Sequence, residues 1–151
     1  MKKFLILLIS VVFVISVLPV RQTYADDVTG ITLEKEMRAM IKQGVITGYE
    51  NGKYAPGEKV TRGQFATFLA RALKLPNGKH IFSDVSPSSA LASGINAAVA
   101  ANIVSGYSAT SFKPNDYITR AEMALMINNA LTYLSIEKKL GNIVFTDQST
   151  I

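Results

Sequence analysis

The stretch Val60-Thr61-Arg62-Gly63-Gln64 recurs further along the chain as Ile118-Thr119-Arg120-Ala121-Glu122. The dipeptide Gly-Tyr precedes each copy, first at Gly48 and again at Gly106, so the offset is 58 residues (106 minus 48). Self-similarity at one fixed period is typical of a chain built from repeated supersecondary units. The repeat therefore sets the organisation of the whole chain.

The repeat divides the chain into two full units and the beginning of another. Repeat 1 is assigned to residues 26–75 and repeat 2 to residues 82–140. The Phe-Ser-Asp that opens repeat 2 returns near the C-terminus as Phe-Thr-Asp, so residues 143–151 are interpreted as the start of a truncated third repeat. At the same offset of 58 residues, Asp84 of repeat 2 corresponds to Asp26 of repeat 1.

Each repeat is predicted to fold as helix, loop, helix, so the fold class is mainly α. Apolar residues recur at the spacing of one helix face, and we expect these stripes to form the core. They are Leu33, Met37, Met40 and Ile41 in the first helix; Phe65, Phe68, Leu69, Ala72 and Leu73 in the second; Leu91, Ile95, Ala98 and Val99 in the third; and Met123, Met126, Ile127, Ala130, Leu131 and Leu134 in the fourth.

Residues 1–25 are predicted to be a signal peptide for export. Lys2 and Lys3 precede an apolar run that is shorter than the roughly 20 residues of a spanning helix, and Ala25 suits cleavage. We expect membrane contact only through this segment before cleavage. Cleavage would remove three of the 16 basic side chains and leave 13 against 11 acidic ones, so the net charge would fall from +5 to +2. This modest charge argues against a nucleic-acid partner.

Few residues in the chain could carry catalysis. There is no cysteine, and the single histidine, His80, lies in a linker. Neither a disulfide nor a cluster with metal-ligand spacing can be drawn, so no metal and no cofactor is predicted. Asp84 and Glu122 are the two carboxylates that a glycosidase would need, but the sequence does not fix their separation. We therefore predict a protein that is not an enzyme and has no catalytic residues.

Both Thr-Arg-x-Gln/Glu motifs match a capping box, which explains the threonine and the Gln or Glu. It does not explain Arg62 and Arg120, because a cation at the positive end of a helix costs roughly 0.3 to 1 kcal/mol. Two explanations remain open. One is an acidic residue across the interface between repeats, such as Asp84 or Asp147. The other is an anionic ligand, held by the guanidinium group and by free amides at the helix start.

The order of these motifs resembles the S-layer homology domain. The resemblance is carried by Phe82 to Val85, Ile103 to Tyr107, Phe112 to Asn115 and Ile118 to Glu122. It implies three copies arranged as a pseudo-threefold helical prism, of which this chain would form an incomplete version. It also implies a secreted protein of the cell wall or S-layer of a Gram-positive bacterium, anchored non-covalently to a secondary, peptidoglycan-linked cell-wall polysaccharide that bears pyruvylated sugars.

The resemblance implies polysaccharide-binding residues in grooves between adjacent repeats. The arginines would contact the pyruvyl carboxylate, the glycines would let the sugar approach the backbone, and the remaining side chains would form hydrogen bonds. These residues are Arg62, Arg120, Gly48, Gly106, Asp84, Asp26, Thr47 and Ser105. Gly48 and Gly106 are also predicted to end the first helix of each repeat in a left-handed conformation.

One departure from the family pattern concerns stacking. Ser89, Ala90 and Leu91 stand where the family typically has His-Trp-Ala, and the chain contains no tryptophan. We therefore expect weaker binding in each groove than in a full domain.

Two other functions stay open. A secreted self-assembling or protein–protein interaction subunit, and thus a homo-oligomer, would use the apolar face left by the absent third repeat. The chain could also be the remnant of a larger S-layer-type protein.

Overall fold

The computed structural model describes residues 26–136. The predicted signal peptide and the predicted start of a third repeat lie outside this range. The described residues form four helices: α1 (Glu34–Lys42), α2 (Arg62–Ala72), α3 (Ala92–Ala100) and α4 (Arg120–Tyr133). Repeat 1 contributes α1 and α2, repeat 2 contributes α3 and α4, and the prediction of a mainly α fold is confirmed. Between residues 26 and 136, no helix is both long enough and apolar enough to cross a bilayer.

Both predicted capping boxes are present. The Thr61 hydroxyl accepts from the Gln64 amide, and the Gln64 side chain accepts from the Thr61 amide. Thr119 and Glu122 make the same pair of contacts at the start of α4. Since each box satisfies two otherwise unpaired amides, the sequence fixes where α2 and α4 begin.

The prediction that Gly48 and Gly106 end the first helix of each repeat is wrong. The left-handed residues that follow α1 and α3 are Gly44 (φ +72°) and Asn102 (φ +56°), which are 58 residues apart. Gly48 is left-handed too (φ +73°), but it lies further on, in the loop. At Gly106 the constraint is space, because an added Cβ would collide with the Phe82 ring.

The core lies between the repeats. Helix α2 of repeat 1 packs mainly on α3 of repeat 2, and it also contacts α4. Small residues allow this approach, since an added Cβ at Gly94 in α3 would lie 2.7 Å from the Cα of Thr67 in α2. The buried core residues are Ala66, Ala70, Phe82, Val85, Ala92, Ile95, Ala97, Ala98, Ile103, Val104, Phe112, Met126 and Ala130.

The prediction that α1 contributes a core stripe is wrong. No residue of α1 is buried, Met40 is 42% exposed, and Leu33, just before the helix, is 63% exposed. The equivalent stripe of α3 is covered because α2, the last helix of the preceding repeat, packs on it. Within residues 26–136, no helix occupies the equivalent place beside α1. In the stripe predicted for α4, the prediction holds for Met126 and Ala130 and fails for Ile127 and Leu134, which are 46% and 48% exposed.

Candidate functional site

Arg62 opens α2, and its guanidinium group contacts repeat 2. Nε donates to the Phe112 carbonyl oxygen (3.2 Å), and Nη2 donates to the Ser105 carbonyl oxygen (2.5 Å). Nη1 donates to Glu122 Oε1 at 2.8 Å, in an ion pair whose side chains are 9% and 23% exposed. The guanidinium carbon also lies 5.0 Å from the ring centroid of Tyr107 and 4.9 Å from that of Phe112. Each guanidinium nitrogen therefore has a partner inside the protein.

This geometry supplies the partner that the sequence left open for Arg62. The partner is an acidic residue across the interface, as one explanation required, but it is Glu122 and not Asp84. A nearly buried ion pair is stabilising only where its remaining polar groups are also paired, and the two carbonyl oxygens meet that condition. Arg62 thus joins the two repeats, while its contact with a glycan stays a prediction.

Glu122 accepts hydrogen bonds on both carboxylate oxygens. Oε2 accepts from the Thr119 amide (2.9 Å) and the Thr119 hydroxyl (2.8 Å), while Oε1 accepts from Arg62 and from the Tyr107 hydroxyl (3.2 Å). The Thr119 amide is the main reason that the pKa of Glu122 lies below its usual value. Burial opposes this shift, and the Thr119 hydroxyl, the Arg62 charge and the Tyr107 hydroxyl reinforce it.

The free amides expected at the start of α2 are occupied. The Arg62 amide donates to the Asp116 carbonyl oxygen (2.8 Å), and the Gly63 amide donates to the Pro114 carbonyl oxygen (3.0 Å). The loop of repeat 2 therefore covers this helix terminus, where an anion could bind only by displacing it.

Arg120 opens α4 and is in a different environment. Its side chain is exposed, and no hydrogen bond or ion pair joins it to another of residues 26–136. The two arginines occupy equivalent positions in the sequence repeat, but Arg62 is nearly buried and paired whereas Arg120 is exposed.

Asp84 holds the loop of repeat 2. Its carboxylate accepts from the Phe112 amide (2.8 Å), the Lys113 amide (2.8 Å) and the Ser111 hydroxyl (2.8 Å). Desolvation raises the pKa of Asp84, but these donors outweigh it, so the pKa lies below its usual value. The carboxylate predicted to contact a sugar therefore orders the loop.

The structural equivalent of Asp84 in repeat 1 is Asp27. The Asp27 carboxylate accepts from the amides of Tyr54 (3.1 Å) and Ala55 (2.8 Å), which correspond to the two amides bound by Asp84. The pairing of Asp84 with Asp26, made at a constant offset of 58 residues, is therefore wrong by one position.

Asp26 stabilises the first turn of the described chain. Its carboxylate accepts from Arg38 Nη2 (2.6 Å), the Val28 amide (3.1 Å) and the Thr29 hydroxyl (3.0 Å). The hydrogen bond from Arg38 is the main reason that the pKa of Asp26 lies below its usual value. Its predicted contact with a sugar stays a prediction.

We expect these carboxylates to make the fold sensitive to acid. The pKa values of Asp27, Asp84 and Glu122 are lowered by folding, so their stabilisation is complete above the unfolded values of about 4 and is lost as the pH falls through the folded values. Urea midpoints measured from about pH 5 to about pH 2 should fall steadily. Asp84→Asn should reduce this fall, because one of the titrating groups is gone. An unchanged midpoint below pH 4 would contradict the assignment.

An open groove lies beside the loop of repeat 1. It has a volume of about 630 Å³, and Ala90 and Leu91 of repeat 2 form part of its wall. Thr47 and Gly48, two of the predicted site residues, line it. The groove is therefore bounded by both repeats, as the resemblance implied.

Aromatic and cationic side chains share this groove. The rings of Tyr49 and Tyr54 line it, and Tyr49 is 48% exposed. Lys59 and Arg71 bring two positive charges, and Glu50 brings one negative charge. Such a surface can stack against a sugar ring and bind a carboxylate.

Arg71 is fixed at the groove wall. Its Nη1 donates to the Thr47 hydroxyl (3.1 Å) and to the Val45 carbonyl oxygen (3.4 Å). Along α2, Gln64, Phe68 and Arg71 are spaced by four and three residues, so they share the helix face that borders the groove. Tyr49, Lys59 and Arg71 line the groove but were not among the predicted site residues, although this spacing could have indicated Arg71.

Ser105 and Gly106 line a separate, smaller cavity of about 350 Å³ in repeat 2. The Ser105 carbonyl oxygen is already used by Arg62. The eight predicted site residues therefore do not meet in one place. No group of acidic or histidine side chains that could hold a metal ion occurs within residues 26–136.

The comparisons with known proteins agree with this architecture. The sequence profile of the S-layer homology domain matches residues 26–66 and 81–124. The chain is 35% identical to the "Middle cell wall protein" of Brevibacillus brevis over 107 residues, which are 67% of this chain and 10% of that protein. It is 31% identical to the "Surface layer protein" of Brevibacillus choshinensis over 143 residues, with coverage of 88% and 13%.

A third relative is an "Endoglucanase" of a Bacillus species, 35% identical over 104 residues, which are 69% of this chain and 11% of that protein. The chain thus matches only about a tenth of the length of these relatives. Because the domain profile covers more than half of the sequence, with one match in each of the two repeats, the chain belongs to the S-layer homology domain family.

Proposed function

We propose that the protein is a secreted, non-catalytic anchor that holds itself at the bacterial cell surface by binding an acidic secondary cell-wall polysaccharide in the groove of repeat 1. The family and the cell-wall and surface-layer names of two relatives support surface anchoring. The observation that carries the finer proposal is the groove itself, which is lined by two tyrosines and by two cationic side chains.

The chemistry of the groove suits an acidic sugar. Tyr49 and Tyr54 offer ring faces, while Thr47 and Gln64 offer hydrogen-bonding groups. The positive charge of Arg71 and Lys59 would pair with a carboxylate such as that of a pyruvyl group. Neither aromatic ring is a tryptophan, so we retain the expectation of modest affinity.

The other predicted residues take lesser places in this proposal. Gly48 would let the sugar approach the backbone, and Arg120 would offer a second, solvent-facing cation. Asp26 would act by stabilising the first turn of repeat 1, and Asp84 by ordering the loop of repeat 2.

The proposal does not include catalysis. Asp84 accepts three hydrogen bonds from its own loop, and Glu122 is held in the ion pair with Arg62. Both carboxylates that could have formed a glycosidase pair therefore have structural partners. The "Endoglucanase" name of one relative does not change this, since only 11% of that protein is matched.

Co-sedimentation with purified cell-wall sacculi tests the proposal. The purified protein should pellet with intact sacculi and stay in solution after the secondary polymer has been removed chemically. Arg71→Ala should weaken binding by about tenfold, because it removes a cation from the groove wall.

Lys35→Ala is the matched control, since it removes the same charge from the exposed side of α1, away from the groove. Circular dichroism should show that both variants remain helical. Binding that survives removal of the polymer, or an Arg71→Ala variant that binds as the unmodified protein does, would refute the proposal.

A further inference from the structure

The two repeats contain equivalent sockets, of which only one is filled by the chain. In repeat 2, Tyr107, Glu122 and the carbonyl oxygens of Ser105 and Phe112 surround the guanidinium group of Arg62. The equivalent positions in repeat 1, each 58 residues earlier, are Thr47, Tyr49, Tyr54 and Gln64. All four line the open groove.

In the filled socket, the Glu122 carboxylate presents an acceptor oxygen to the guanidinium group of Arg62. Glu122 Oε2 is used by Thr119 in the capping box, which leaves Oε1 to accept from Arg62 and from the Tyr107 hydroxyl. The Tyr107 hydroxyl donates its hydrogen to Glu122 Oε1 and so presents no hydrogen to the occupant of the socket. The socket is therefore built to accept a cation.

In the open socket, the same scaffold presents donors. Gln64 Oε1 accepts from the Thr61 amide (2.9 Å), and because that amide can only donate, the orientation of the side-chain amide is set. Gln64 Nε2 then faces Tyr49 and donates to its hydroxyl oxygen (2.9 Å). Among residues 26–136, the second Nε2 hydrogen and the Tyr49 hydroxyl hydrogen have no acceptor.

We infer that Gln64 determines the ligand charge accepted by the groove: it selects carboxylate and hydroxyl acceptors and excludes guanidinium and ammonium groups. Glu122 of repeat 2 presents an acceptor and binds a cation, whereas Gln64 at the equivalent position of repeat 1 presents a hydrogen-bond donor. Arg71, two turns along the same helix face, adds positive charge beside these donors. The acidic-sugar part of this inference rests on the proposed function, while the exclusion of cations does not.

Gln64→Glu is the direct test, and the chain itself shows that the change is compatible with folding. Thr119 and Glu122 form the same capping box that Thr61 and the new glutamate would form. The variant should bind sacculi about tenfold more weakly, since a like charge would face the acidic sugar. The variant should also bind methylguanidinium, and this binding should appear in NMR spectra as a shift of the Tyr49 ring signals. The unmodified protein should show no such shift.

Asn51→Asp is the charge-matched comparison, because Asn51 lies at the same groove and also carries an amide. It should weaken sacculus binding less than Gln64→Glu and should not bind methylguanidinium. Equal weakening by both variants, or no methylguanidinium binding by Gln64→Glu, would overturn the inference. If the unmodified protein fails to bind sacculi, the proposed function fails, and the methylguanidinium result alone decides whether Gln64 excludes cations.

Discussion

Replacing Arg62 with alanine is expected to destabilise the protein by about 3 kcal/mol, because it breaks a nearly buried ion pair and leaves the other charge without its partner. Glu122 would keep its negative charge in a site that is only 23% exposed, and the carbonyl oxygens of Ser105 and Phe112 would lose their donors. The loss should appear as a lower midpoint in urea unfolding followed by circular dichroism.

Arg120→Ala is the matched control, since it removes the same side chain from the same position of the other repeat. Arg120 is exposed and has no partner among residues 26–136, so its removal should change stability by no more than about 0.5 kcal/mol. Equal effects of the two substitutions would contradict the different environments of Arg62 and Arg120. Any loss of wall binding by Arg62→Ala must be judged against this instability before it is ascribed to contact with a glycan.

Gly94→Val is expected to cost about 3 kcal/mol or more, because α2 and α3 would have to separate. Even the first carbon of a side chain at Gly94 would lie 2.7 Å from the Thr67 Cα, and a backbone atom cannot rotate away. Valine's better helix propensity than glycine would offset only a small part of this. Urea unfolding measures the difference.

Gly57→Ala provides the comparison for this prediction. Its Cβ would meet nothing within 4 Å, and the position does not have a left-handed backbone, so stability should change by no more than about 0.5 kcal/mol. A Gly94→Val variant as stable as Gly57→Ala would show that the two helices are not held in this close contact.

Much of the fold could be predicted from the sequence because its signals are local. Capping boxes and helical periodicity act within a few residues, and both correctly placed α2 and α4. The burial of a helix face cannot be predicted in this way, since it depends on whether another helix packs against that face. The stripes of α1 and α3 look alike in sequence, yet only α3 has α2 beside it.

The candidate site was less predictable because a repeat identifies equivalent positions without showing which of them face each other. Arg62 and Arg120 are equivalent by sequence, but the acceptors that bind Arg62 belong to the following repeat. The incorrect pairing of Asp84 with Asp26, in place of Asp27, has a simpler cause. Two neighbouring aspartates match the pattern equally well, and only their hydrogen bonds distinguish them.

Arg71 was not predicted to be near the binding site, for a related reason. A basic residue in the last turn of a helix is favoured by the helix dipole, so its presence there needs no further explanation. Its contact with Thr47 and its place on the groove wall depend on the position of the loop of repeat 1, which is set by the tertiary fold.

The close contact of α2 with α3 means that the sequence repeat and the packing unit have different boundaries. The sequence repeat ends after α2, yet α2 packs on the first helix of the next repeat, and most of the buried core residues lie beyond that junction. Residues 26–75 alone would therefore lack the surface on which α2 packs. A truncation between the two repeats would expose that side of α2, so the repeat boundary does not separate two independently folding domains.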